Sequence, residues 1–190
     1  GGRFNGIYYD NPSIITGNFT STVSGTFTMS GGTFRGYSNP VSANTGSFAF
    51  NANGAFTFSA GNFKGHQTTN TNNLTAAFNF GSTVQVNFSA LTDSFMFIGH
   101  AGVGAQVNLM RLNANFANDF SIGGTADGKF ISSISNGIET ITIPGNFTIS
   151  KGINSFNNYP NASGVTPHKV ILNITGNFSV TGGISYLSAA

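Results

Sequence analysis

The chain has 190 residues, with seven Lys and Arg residues, five acidic residues, three His and no Cys, and its net charge is +2. An ordinary soluble domain is about a quarter Asp, Glu, Lys and Arg, so solubility here depends on Asn, Thr, Ser and Gly. The absence of Cys excludes thiolate catalysis, Cys-ligated zinc and disulfides. The cations lie scattered singly along the sequence, which argues against a nucleic-acid partner.

The first segment, residues 1–12, has the character of a detachable strand. Such a segment can add to an open sheet edge of a neighbouring subunit, because it gains main-chain hydrogen bonds and pockets for alternate side chains. The alternative is an ordinary first strand that pairs within its own chain. If the segment is exchanged, we expect its apolar and aromatic residues to serve subunit assembly; these are Phe4, Ile7, Tyr8 and Tyr9.

A repeat of about thirty residues follows the first segment. Three Phe positions recur with a displacement of 29: Phe19, Phe27 and Phe34 return as Phe48, Phe56 and Phe63. A looser third copy begins at residue 76. Near the C-terminus, residues 145–153 are echoed by residues 176–184, with a displacement of 31. Self-similarity at such a period indicates repeated supersecondary units, and we interpret each unit as a pair of strands.

The repeats alternate apolar and polar residues at a spacing of two, which is typical of strands with one buried and one solvated face. Four dipeptides between such runs are strong hairpin signals, because type I′ and II′ turns need positive φ. They are Asn53-Gly54, Gly81-Ser82, Asp127-Gly128 and Asn136-Gly137.

These signals predict an all-β fold: an antiparallel meander of short strands that forms a jelly-roll-like β-sandwich or a barrel, with hairpin repeats of about thirty residues. Residues 35–45 and 154–167 have the composition of loops. Residues 170–180 are expected to form a closing hairpin. We expect a single β domain over residues 13–190, preceded by the strand or arm of residues 1–12.

No residue pattern points to catalysis, a metal or a cofactor. The three His, at 66, 100 and 168, lack the i, i+2 or i, i+4 spacing of paired metal ligands. A glycosidase needs two carboxylates that flank a bond, and the five acids form no such pair in the sequence. Glu139 lies in an alternating Ile/Thr run, so we expect it on the exposed face of a strand. The chain is therefore expected not to be an enzyme and to need no cofactor.

Location and modification are inferred from the same composition. A first residue of Gly in place of Met fits a removed leader, and we expect an extracellular or cell-surface location. The longest apolar runs are far shorter than the roughly 20 residues of a spanning helix, so no membrane-spanning segment is expected. Seven Asn-x-Ser/Thr sequons are possible glycosylation sites, although a chain so rich in these residues contains about that many by chance. They are Asn18, Asn73, Asn87, Asn146, Asn161, Asn173 and Asn177.

Two functions remain open. The first is a non-enzymatic extracellular structural protein that assembles with copies of itself into a filament, pilus-like fibre or surface layer, by β-strand addition between subunits. High strand content, the absence of a catalytic set and weak repulsion between nearly uncharged copies favour it. In this overall character the chain resembles the subunits of donor-strand-type bacterial and archaeal fibres.

The second function is a monomeric secreted or cell-surface ligand-binding module, with carbohydrate as a possible ligand. Residues 75–91 resemble hairpins in the meander β-barrels of transferrin-binding-protein-B-like surface proteins, and residues 25–27 and 32–36 echo that family's Gly-x-Phe-x-Gly strands. The resemblance implies antiparallel closure and carries over no binding residues. A small jelly-roll viral coat also fits the length, but it would bring a basic arm, and the N-terminus has only Arg3.

Overall fold

The structure, a computed structural model, describes residues 2–8, 15–71, 75–100, 111–133, 137–156 and 169–186. All regular structure in these ranges is β-strand, so the all-β part of the prediction is confirmed. The strands are β1 (Arg3–Tyr8), β2 (Ile15–Val23), β3 (Phe27–Ala52), β4 (Phe56–Thr71), β5 (Thr75–Phe80), β6 (Val84–Phe88), β7 (Ser94–His100), β8 (Arg111–Phe116), β9 (Phe120–Gly124), β10 (Lys129–Ile131), β11 (Ile138–Ile143), β12 (Phe147–Ile149), β13 (Ile153–Ser155), β14 (Lys169–Ile174), β15 (Phe178–Val180) and β16 (Ile184–Tyr186).

These strands stack into three parallel sheets, which we call A, B and C. Sheet A contains β2, residues 47–52 of β3, β5, β8, β11 and β14. Sheet B contains residues 27–29 of β3, residues 56–58 of β4, β6, β9, β12 and β15. Sheet C contains β1, residues 33–38 of β3, residues 62–68 of β4, β7, β10, β13 and β16. Each coil passes through A, B and C in turn, so the chain winds as a β-solenoid.

The predicted antiparallel meander, whether sandwich or barrel, is wrong. Every strand pairing among the described residues is parallel, and each strand pairs with the equivalent strand one coil later: Phe19 with Phe48, and Phe27 with Phe56. Alternation of apolar and polar residues indicates that a strand has one buried face, but it does not indicate which strand pairs with it. Parallel strands need a long crossover between them, and here the other two sides of the coil supply it.

The predicted hairpin turns are corners between sheets. Asn53-Gly54 joins β3 to β4 and Gly81-Ser82 joins β5 to β6, and the strands that flank each corner do not pair there. Asp127-Gly128 precedes β10, which pairs with β7 and β13. Asn136 lies outside the described residues. The closing hairpin is also absent, because β14 pairs with β11 and β15 with β12.

The corner between sheets A and B explains the Gly-Asn-Phe sequence that residues 145–147 and 176–178 share. A Cβ on Gly145 would lie 2.6 Å from the backbone of residues 118 and 119 in the preceding coil, so the close stacking of corners favours glycine. The Asn146 side chain accepts a hydrogen bond from the Asn177 backbone N–H at 3.1 Å, which links this corner to the next. The following Phe147 points into the core. Turn chemistry therefore accounts for this motif.

The core is a set of stacked Phe rings. Phe50 of sheet A, Phe56 of sheet B and Phe63 of sheet C meet with ring centroids 5.5, 5.9 and 6.2 Å apart. Truncating one such ring to Ala costs about 3–5 kcal/mol, so these rings hold the three sheets and successive coils together. The longest stack runs along sheet C with centroid spacings of 5.1, 4.8, 4.6 and 6.0 Å, through Phe4, Phe34, Phe63, Phe95 and Phe130.

The predicted repeat of about thirty residues is confirmed, but each repeat contains a different number of strands from the one expected. Residues displaced by 29 near the N-terminus and by 31 near the C-terminus are register partners. Each unit contains three strands in place of the expected pair, since one full coil separates partners. The expected loop at residues 35–45 lies within β3. Most of the other expected loop, residues 157–167, lies outside the described residues.

Candidate functional site

The last described coil exposes apolar side chains that point into the core in earlier coils. Phe178 of β15 is 53% exposed, whereas Phe147 and Phe120 at the same position of the two preceding coils are 0% and 1% exposed. Val180 is 49% exposed, and its partner Ile149 is fully buried. Within the described ranges, β14, β15 and β16 have a paired neighbour on one edge only. The last described coil is therefore apolar on its open side and has three strand edges without a partner among the described residues.

The N-terminal end is also open and apolar. β1, β2 and residues 27–29 of β3 are the first described strands of sheets C, A and B, and their outer edges carry no strand among the described residues. A cavity of about 490 Å³ lies at this end, lined by Val23, Phe27 and Phe50 among others. Phe4 is 55% exposed and stacks on Phe34 at 5.1 Å. Both ends of the described solenoid thus present core-type side chains to solvent.

The residues expected to serve assembly lie at this N-terminal end. β1 pairs in parallel with residues 33–38 of its own chain, with Phe4 opposite Phe34, Ile7 opposite Tyr37 and Tyr8 opposite Ser38. Tyr9 lies outside the described residues. This pairing places the segment as a strand of sheet C, and exchange of residues 1–12 between subunits stays a prediction.

The sequons are spread over different parts of the fold. Asn18 in β2 is exposed and accepts a hydrogen bond from the Ser47 hydroxyl at 2.7 Å. Asn146, Asn173 and Asn177 are also exposed, and Asn87 in β6 is partly buried. Asn73 and Asn161 lie outside the described residues. Glycosylation at the seven positions stays a prediction.

Polar side chains form ladders on the outer faces between the two ends. On sheet A the Asn79 amide donates to Oδ1 of Asn51 at 2.8 Å, and the Asn115 amide donates to Oδ1 of Asn79 at 2.9 Å. On sheet B a shallow groove of about 370 Å³ is lined by amide and hydroxyl side chains. They include Gln85, Ser121, Asn146, Thr148, Asn177 and Ser179.

His66 is a fully buried aromatic ring in sheet C. The ring stacks on Tyr37 with centroids 4.8 Å apart, and neither ring nitrogen has a hydrogen-bond partner among the described residues. Burial lowers the pKa of His66 to about 3, so the ring is neutral at physiological pH. His100 belongs to β7 and His168 lies outside the described residues. No group of three or more His, Asp or Glu able to hold a metal occurs in the described part of the chain.

Asp93 is a structural carboxylate at the corner between sheets B and C. Its two oxygens accept hydrogen bonds from the backbone N–H groups of Gly61, Ser89 and Ala90, all at 2.8 Å, and from the Ser89 hydroxyl at 3.1 Å. Burial by itself would raise the pKa of Asp93, but these hydrogen bonds outweigh it and hold the pKa below its usual range. The carboxylate thereby ties the corner after β6 to the preceding coil.

Glu139 does not lie on the exposed face where it was expected. Its side chain is buried, and the Ser132 hydroxyl donates a hydrogen bond to Oε2 at 2.5 Å. Ile138, Ile141 and Ile143 cannot all point inward at a period of two. The core takes Ile141 and Ile143, which brings Glu139 inside and leaves Ile138 exposed.

Sequence reasoning missed the end residues Phe178 and Val180. A signal for them was present, because the displacement of 31 places Phe178 in the position of Phe147. A core position in the last described coil has no further described coil to cover it.

Comparisons of the chain with protein-family models, curated proteins and solved structures found no match. Within the described ranges, no helix has the length and apolar character to cross a membrane.

Proposed function

We propose that this chain is a non-enzymatic, extracellular structural protein that assembles with copies of itself end to end, by β-strand addition between solenoids. The observation that carries the proposal is the pair of open apolar ends. Solenoid proteins normally close their terminal repeats with a polar cap, and free strand edges are templates for pairing with another chain. The extracellular location rests on composition alone.

The two ends complement each other in register. If the next copy continues sheet B, its Phe27 lies opposite Phe178 and its Met29 lies opposite Val180, as the register of the preceding coils requires. About half of the Phe178 side-chain area, roughly 100 Å², remains to be covered, which corresponds to about 2–3 kcal/mol. The strand edges add main-chain hydrogen bonds to this apolar contribution.

Among the described residues, sheet C has one more strand than sheets A and B, and this extra strand, β1, determines how the next copy can pair. In a continuous stack, β2 of the next copy pairs with β14, residues 27–29 of that copy pair with β15, and residues 33–38 pair with β16. Within each copy, however, β1 already pairs with residues 33–38. All three sheets can continue only if β1 leaves and β16 of the preceding copy takes its place. The proposed assembly therefore exchanges β1 of each incoming copy for β16 of the preceding copy on residues 33–38.

The test compares a variant at the open coil with a matched control. Phe178→Glu places a charge on the proposed contact, and Leu91→Glu places the same charge on a side chain that is 72% exposed at a corner loop. We expect regular filaments from the wild-type protein and from Leu91→Glu at micromolar concentration, by electron microscopy and sedimentation velocity. We expect Phe178→Glu to be folded by circular dichroism and to remain a monomer by sedimentation velocity. A wild-type protein that stays monomeric would refute the proposal.

The second candidate is carbohydrate binding by the monomer, which the groove on sheet B favours. Hydroxyl and amide side chains recur there in successive coils, and such groups can bind sugar hydroxyls. A glycan array with the wild-type protein and Thr148→Val tests this function. Binding that is lost in the variant, together with the absence of filaments, would favour it over assembly.

A further inference from the structure

Two cations that are distant in sequence lie side by side on the outer face of sheet C. Arg35 of β3 and Lys64 of β4 are direct register partners in adjacent parallel strands, which lie about 4.8 Å apart. Both side chains are partly buried. Like charges directly opposite each other destabilise a sheet, so this placement carries a cost in a chain with only seven Lys and Arg residues.

No described carboxylate neutralises this pair. Asp93 is fully engaged by the corner donors, and Asp119 accepts from the Asn146 backbone N–H at 2.7 Å. Asp127 pairs with Lys151 at 3.7 Å, and Glu139 accepts from Ser132 in the core. The Arg35 Nε atom is buried and has no hydrogen-bond partner among the described residues. Burial and the Arg35 charge together lower the pKa of Lys64. A negatively charged group bound beside the pair would give Arg35 Nε a hydrogen-bond acceptor and would offset the lowering of the Lys64 pKa.

Neighbouring side chains extend the pair into a surface of hydrogen-bond donors. Arg3 is exposed and lies opposite Thr33, two residues from Arg35 on the same face. Asn62 lies two residues before Lys64 on the same face, and its Oδ1 accepts from the Ser94 hydroxyl at 2.7 Å. Guanidinium and ammonium groups on one patch are donors that bind phosphate and sulfate in proteins.

We propose that Arg3, Arg35 and Lys64 form a binding site for a tetrahedral oxyanion, a phosphate or sulfate group, on the outer face of sheet C. This site lies in the N-terminal half of the solenoid; Arg35 and Lys64 keep their places in the proposed end-to-end contact, whereas Arg3 leaves with β1. The anion bridges Arg35 and Lys64 and removes their mutual repulsion. The group is either a free ion or one carried on an anionic polymer.

Isothermal titration of the wild-type protein with sodium sulfate, against sodium chloride at equal ionic strength, tests the site. The variant is Lys64→Met, since Met96 occupies the same position in the next coil. The control is Lys169→Met, which removes an exposed cation from β14 on sheet A. We expect saturable sulfate binding that weakens at least tenfold in Lys64→Met and changes less than twofold in Lys169→Met. Absence of saturable binding, or equal loss in both variants, would overturn the proposal.

Two further measurements identify the source of the anion and exclude misfolding. Dextran sulfate that binds more than tenfold tighter than sulfate, with uncharged dextran inert, assigns the site to an anionic polymer; equal affinity assigns it to the free ion. In chloride alone, Lys64→Met should melt at or above the wild-type temperature, because it removes a like-charge contact. Sulfate should then raise the melting temperature of the wild type and leave that of Lys64→Met unchanged.

Discussion

Replacing His66 with Phe is expected to remove much of the protein's sensitivity to acid. The pKa of His66 is lowered to about 3 in the folded chain, from 6.5. Between these values the unfolded chain binds a proton at this site and the folded chain does not, so stability falls as the pH drops below about 6.5 and stops falling near 3. At 1.36 kcal/mol per unit, the loss at pH 4.5 is about 3 kcal/mol.

Phe also suits the site at neutral pH. Both ring nitrogens of His66 are buried and unpartnered among the described residues, and Tyr37 and Phe48 already surround the ring with aromatic carbon. Removing a buried unsatisfied polar group recovers about 1–3 kcal/mol, less any cost of fitting the larger ring. We expect His66→Phe to be at least as stable as the wild type at pH 7.5. Its advantage in the free energy of unfolding should be about 3 kcal/mol larger at pH 4.5.

The assay is urea unfolding followed by far-ultraviolet circular dichroism at both pH values. Phe48→Leu serves as the control, because it weakens the same region of the core without changing a titratable group. It should lower the free energy of unfolding equally at pH 7.5 and pH 4.5. A His66→Phe variant with the same advantage over wild type at both pH values would refute the assignment of a buried neutral histidine.

Three other changes test the corner, the carboxylate and the first strand. Gly54→Ala should lower the free energy of unfolding by about 2 kcal/mol or more, because its Cβ would lie 2.6 Å from the Gly25 backbone; Gly25→Ala, with open space around its Cβ, should cost less than about 1 kcal/mol. Asp93→Asn should cost about 2–3 kcal/mol at pH 7. Because the folded pKa of Asp93 is depressed, that cost should shrink as the pH falls below the unfolded-state pKa and through the folded one; a cost that stays constant as the solution is acidified would contradict this. Deletion of residues 1–8 should speed filament growth in light-scattering assays, and slower growth would argue against β1 as the strand that is displaced.

Several elements of the fold could be read from the sequence. The alternation of Phe with polar residues identified strands, and the 29-residue displacement of Phe19, Phe27 and Phe34 identified the true register partners. The sense of pairing could not be read in the same way, because Asn53-Gly54 suits a hairpin and a solenoid corner equally well. Three consecutive Phe positions per repeat, each with its own partner, were the evidence for three sheets.

The candidate sites were harder to predict because they depend on stacking. Phe178 differs from Phe147 only in having no coil beyond it among the described residues. Arg35 and Lys64 read as isolated cations until the parallel register places them opposite each other. Glu139 reads as an exposed strand residue when the alternation is counted from Ile138, whereas Ile141 and Ile143, later in the same strand, fix the parity that places it inside.

The axial rise per subunit in a filament, measured by cryo-electron microscopy, tests end-to-end assembly with strand exchange most directly. The described residues of each chain contribute six strands to each of sheets A and B and seven to sheet C, including β1. With strands about 4.8 Å apart, release of β1 gives a rise of six strands per copy, about 29 Å. A rise of about 34 Å would mean that β1 stays in place and only sheet C continues. A rise of about 34 Å, or a protein that forms no filaments, would contradict the account.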